Sequence, residues 1–102
     1  MSAPTKDVGL SSLSAVAGDL KRAAIVVRLF DNNVCEKGPK LKEDVETLLG
    51  RPISHGSFGW HIAQLRAENI VKVDEQGRVC LTKSGADVAK IVREPLLASL
   101  RK

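Results

Sequence analysis

The sequence predicts a mainly α domain with a small β-hairpin, an α+β arrangement. Three observations carry this. Apolar residues recur every three or four positions through most of the chain; two short segments, 70–73 and 78–81, alternate instead; and Gly50, Ser54 and Thr82 stand where one pattern gives way to the next.

At 102 residues the chain is one domain's worth, and multi-domain readings fall away. Hydrophobic residues make up 43% and aromatic residues only 3%, so the core must rest on Leu, Val, Ile and Ala, which suits helices packed on a small sheet. The net charge of +4 permits a polyanionic partner without requiring one. Residues 1–51 hold eight Lys or Arg against seven acids and residues 52–102 eight against five, so the excess lies in the second half. No stretch reaches the ~18 apolar residues a membrane span needs and no secretory leader is visible; a soluble, cytoplasmic protein is expected, nucleoid-associated if its source is prokaryotic.

Residues 1–8 are small, polar and Pro-containing, which predicts a disordered start. Over 9–33, Leu10, Leu13, Ala17, Leu20, Ala24 and Val27 form one helical stripe, widened in its second half by Val16, Ala23, Ile25, Val26, Leu29 and Phe30. A stripe that broad predicts burial on two sides, one of them against a partner. Gly18 interrupts it and Asp19 can cap a fresh start, leaving one long helix or a helix pair open. Cys35-Glu36-Lys37-Gly38-Pro39 reads as a loop.

Residues 40–68 read as two helices joined by a tight turn. Leu41, Val45, Leu48 and Leu49 face inward on the first, and Gly50 sits at its left-handed C-terminal cap. Ile53 is expected in the core, and Ser54 offers its hydroxyl to the amides of the second helix. There Phe58, Ile62 and Leu65 define a buried face with His61 beside them, read as a partly buried histidine hydrogen-bonded to backbone. By difference His55, Gly56, Ser57, Gly59, Trp60 and Ala63 face outward, although Trp60 alone of these is equally suited to the core. Gly56 and Gly59 each cost about 1 kcal/mol against Ala inside a helix, which implies close approach to something or a helix that orders only on binding.

Residues 70–82 then form a hairpin closed at Gly77, with Val71, Val73, Val79 and Leu81 toward the core and Lys72, Arg78 and Cys80 away from it. Thr82 caps the last segment, 83–102, where Pro95 demands a kink or a new helix. Cys35 and Cys80 belong to no CxxC or Cys/His cluster and are expected reduced, with no metal. His55 and His61 share no helix face and no carboxylate is placed to orient either; no phosphate loop, dinucleotide fingerprint or His-Glu-x-x-His is present. No catalytic residue, cofactor or small-molecule ligand is expected.

The order helix, helix, helix, strand, strand, helix is that of a winged helix-turn-helix with N- and C-terminal helices added. His61-Ile62-Ala63-Gln64-Leu65-Arg66-Ala67-Glu68-Asn69-Ile70-Val71 resembles the end of the recognition helix in winged-helix regulators of the arsenic-repressor type, and Leu81-Thr82-Lys83-Ser84-Gly85 is similar to the strand-to-helix junction of the multiple-antibiotic-resistance and phenolic-acid-repressor types. The resemblance spans about residues 24 to 93. It implies double-stranded DNA as partner, with the first two turns of the helix in the major groove. Ser54, His55, Ser57, Trp60 and Gln64 then meet phosphates and base edges. Lys40, Lys42, Arg51, Lys72 and Arg78, with Arg66, supply phosphate contacts. Glu43, Asp44, Glu46, Asp74 and Glu75 oppose that role. A homodimer is expected, built from Leu10, Leu13, Leu20, Leu96, Leu97 and Leu100, which exceed what a three-helix core with a hairpin covers. The competing expectation is a winged-helix module that docks on another protein through Trp60.

Overall fold

The structure, a computed structural model, describes residues 10–32 and 34–101. The expected disordered start at 1–8 and the side chain of Leu10 lie outside the described residues. Five helices and three strands follow in the order α1 (Leu10–Ala17), α2 (Leu20–Asp31), β1 (Cys35–Lys37), α3 (Gly38–Leu49), α4 (His55–Ala67), β2 (Val71–Val73), β3 (Arg78–Leu81) and α5 (Lys83–Leu100). The architecture is mainly helical with a small antiparallel sheet. No described helix is long and apolar enough to cross a membrane.

The N-terminal segment is a helix pair. The Asp19 carboxylate accepts from the amides of Lys21 at 2.9 Å and Arg22 at 3.3 Å, so α2 starts on its own cap and α1 ends at Ala17. α2 is the central element: Ala23 to Val27 and Leu29 are all buried. The second buried side expected against a partner is covered by the chain itself, because α1, α3, α4 and α5 all pack on α2.

The stretch read as a loop is instead β1 running directly into α3. Cys35, Glu36 and Lys37 pair antiparallel with Cys80, Val79 and Arg78, which gives a three-stranded sheet in the order β1-β3-β2. Gly38-Pro39 does not prevent helix formation, since Pro falls in the first turn, where its missing amide costs nothing. The cysteines, expected reduced, are joined: Cys35 and Cys80 sit opposite each other with Cα atoms 4.0 Å apart and form a disulfide. The Leu81 amide donates to the Val34 carbonyl at 2.8 Å, so 35 and 80 form the closer, non-hydrogen-bonded type of cross-strand pair, where two sulfurs can meet. Cys80 does point away from the core together with Lys72, as the alternation required, but the disulfide buries it. Val73, expected inward, is exposed at the end of the edge strand next to the hairpin tip.

Helix α5 runs through Pro95 as one helix rather than two. Pro95 is exposed while Val92 and Leu96 on either side of it are buried, so packing carries the helix across the lost hydrogen bond. At the other end, Thr82 Oγ1 accepts from the Gly85 amide at 3.0 Å and donates to the Asn69 carbonyl at 2.7 Å, tying the start of α5 to the turn that follows α4.

Candidate nucleic-acid interface

Helix α4 is placed by the turn before it. Gly50 adopts φ 75°, closing α3, and Ile53 drops into the core. The carboxylate of Glu46 accepts from the Ile53 amide at 2.7 Å and from Lys42 Nζ at 3.0 Å, so this acid holds the turn. Those same contacts, led by the Ile53 amide, hold the Glu46 carboxyl below the usual carboxylate range. Ser54 Oγ accepts from the Ser57 amide at 3.1 Å and starts the helix.

Phe58, His61 and Leu65 are buried and Ile62 packs against the core, as the spacing required. His55, Gly56, Gly59, Trp60 and Ala63 form one exposed outward face, with Ser57 and Gln64 half-buried at its margins. Trp60 is outward, 54% exposed. A Cβ added at Gly56 or Gly59 would meet nothing within 4 Å among the described residues, so neither glycine serves packing against them. His61 is only 5% exposed, but its partner is a side chain rather than backbone: Arg22 Nε donates to His61 Nδ1 at 3.0 Å. Burial, reinforced by the cations Arg22 and Lys21 and opposed by Asp19, pushes the His61 pKa down. The Arg22 guanidinium also lies 5.0 Å from the centroid of the Trp60 ring, and the His61 and Trp60 rings meet edge to face at 5.1 Å.

The expected basic residues divide into two groups. Lys40 pairs with Asp44 at 3.1 Å, Lys42 with Glu46 at 3.0 Å and Arg78 with Asp74 at 2.8 Å. Arg51, Arg66 and Lys72 are exposed and make no ion pair with the described residues. Asp74 is a turn former: its carboxylate accepts from the amides of Gln76 at 2.9 Å and Arg78 at 2.8 Å, and Gly77 at φ 78° completes the loop. Of the acids that oppose a nucleic-acid role, Asp74 is thus engaged in the hairpin's own geometry while Glu43 and Glu75 stay exposed, and the Arg78 amide, ahead of its guanidinium, keeps the Asp74 carboxyl below its ordinary range. Lys37, which the loop reading hid, is exposed beside Arg78 on the same sheet face as Lys72.

The expected dimer residues are covered to differing degrees. Leu96 is buried in the chain's own core, and Leu13 and Leu100 pack against it, so the apolar surplus is smaller than the sequence implied. Leu97 is half-buried, while Leu20 at 38% and Ile91 at 42% remain exposed beside a half-open groove of about 370 Å³ between α1, α2 and α5.

The sulfurs of Cys35 and Cys80 and a carboxylate oxygen of Asp74 lie within 4.8 Å of one another, but both sulfurs are held in the disulfide. Arg22, Glu46 and Asp74, besides Lys37 and the disulfide cysteines, have roles the sequence did not disclose. Only Asp74, three residues before Gly77, carried a local turn signal. Comparison with protein-family models, curated proteins and solved structures finds nothing that matches this chain.

Proposed function

We propose that the chain is a winged-helix protein that binds double-stranded DNA, with α4 as the reading helix and β2–β3 as the wing. The observation that carries this is the combination of order and exposure. The elements α2, β1, α3, α4, β2, β3 with strand order β1-β3-β2 follow the order this reading calls for, and they leave the capped start of α4 open, with two glycines that pack against nothing among the described residues. Glycine at those sites lets a phosphate backbone or base edge come close to the helix. Arg51, Arg66 and Lys72 supply charge that makes no ion pair with the described residues. As a homodimer, joined across the groove beside Leu20 and Ile91, the protein would read two half-sites and act as a transcriptional regulator.

The second reading is a winged-helix module that docks on another protein through Trp60. The exposed indole and the local pairing of Lys40, Lys42 and Arg78 favour it. Titration against mixed genomic DNA at low and moderate salt separates the two. The first requires binding that weakens steeply with salt; salt-insensitive or absent binding removes it. Sedimentation as a monomer removes the dimer.

A further inference from the structure

The cap and the glycines do not account for Trp60. It is a large apolar ring left 54% exposed, and it is held in place: Arg22 stacks over it at 5.0 Å and is itself anchored by donating to the buried His61. Two of its exposed neighbours one turn away are small. Gly56 lies four residues before it and Ala63 three after, both exposed, so no bulky side chain at these two positions crowds the outward face beside the indole. Held by these contacts, the ring leaves apolar surface in water that an incoming group would cover.

The surroundings define the chemistry of that group. A cation lies over the ring, Arg66 is exposed farther along the same helix, and the amides of His55 and Gly56 precede the first intrahelical bond. A polyanion fits these better than an apolar protein face does. In the major groove of duplex DNA the apolar group on offer is the C5-methyl of thymine. Gln64, four residues after Trp60, carries the donor and acceptor pair that matches the adenine of the same base pair.

We propose that Trp60, positioned by Arg22, reads thymine through its C5-methyl group. This rests on the DNA-binding reading above and specifies what that face recognises. Arg22 is a positioning residue in this scheme.

The test compares a fluorescently labelled alternating dA-dT duplex with its dA-dU counterpart at low salt. The two share backbone and minor-groove acceptors and differ by the methyl groups. The protein is expected to bind dA-dT about fourfold tighter for each methyl it covers. Trp60→Ala should bring the two affinities together and Trp60→Phe should keep part of the difference; Arg22→Ala should narrow it and Arg22→Lys partly restore it. Circular dichroism of each variant shows that the fold is retained, and the unsubstituted protein alone decides the central point. Salt-sensitive binding with equal affinity for both duplexes, or a preference that survives in Trp60→Ala, overturns methyl reading and leaves DNA binding standing. Failure to bind either duplex overturns both.

Discussion

Arg22 Nε on α2 donates to His61 Nδ1 on α4 at 3.0 Å, joining residues 39 apart in sequence. To accept there, His61 must be neutral, with its proton on Nε2. Burial lowers its pKa from the ordinary value of 6.5. A depressed basic pKa means the unfolded chain takes up the proton first as pH falls. Stability from this group is therefore complete above pH 6.5 and declines as pH drops below it toward the folded-state pKa. Denaturant midpoints measured at neutral and mildly acidic pH should show that loss, and His61→Gln should reduce it. An unchanged profile in the variant assigns the pH dependence to other groups.

The two halves of that contact differ in how far the sequence disclosed them. The burial of His61 beside Phe58 and Leu65 was legible, because helical period fixes which residues share a face. Its partner was not, because nothing local links residue 22 to residue 61. The same division holds elsewhere. Caps at Asp19, Gly50, Ser54 and Thr82 could be read because each acts within four residues. Strand β1 could not, since three residues flanked by Gly38-Pro39 carry no usable period and become a strand only when β3 lies alongside. The disulfide depends on that pairing and was missed with it. Of the candidate site, the outward face of α4 was legible and the neutralisation of Lys40, Lys42 and Arg78 was only half visible. Their acids were noted as opposing charge, whereas the structure uses them as ion-pair partners and turn formers.

The Cys35–Cys80 bond closes a loop spanning 45 residues that includes α3 and α4. Cross-linking a loop of that length restricts the unfolded chain and is worth about 4 kcal/mol on the loop-entropy estimate, with about 2–4 typical of measured cases. Urea unfolding with and without a dithiol reductant should show a loss of that order, and the paired Cys35→Ser, Cys80→Ser variant should match the reduced protein. Equal midpoints would mean that the sheet's own pairing already supplies the constraint.

Charge pairing predicts unequal effects among the basic residues. Arg51 and Lys72 make no ion pair with the described residues, while Lys40 and Arg78 are engaged by Asp44 and Asp74. A cation that gives up no internal partner contributes most to binding a phosphate, so Arg51→Ala and Lys72→Ala should each flatten the salt dependence of DNA binding by about one unit of slope. Lys40→Ala and Arg78→Ala should change it less. The measurement is affinity for one duplex across a salt series. Equal effects from all four would show that the local pairs open on binding.

Gly85 offers the sharpest test of the fold. It is buried in the first turn of α5, and a Cβ there would collide with the Ile70 carbonyl and the Leu81 side chain. The Thr82 amide donates to that same carbonyl at 3.0 Å, so neither the strand end nor the helix can retreat without breaking the junction. Overpacking of this kind typically costs about 1–3 kcal/mol, and the backbone contact puts Gly85→Ala toward the upper end. Gly59→Ala, in the helix interior and meeting open space, should instead gain about 1 kcal/mol from helix propensity, and Gly56→Ala, in the first turn, a smaller amount of the same sign. Thermal unfolding of the three variants decides the matter, because the predicted signs are opposite. If the two outward glycine variants also weaken DNA binding while stabilising the fold, those glycines serve the approach of a ligand at the expense of the helix.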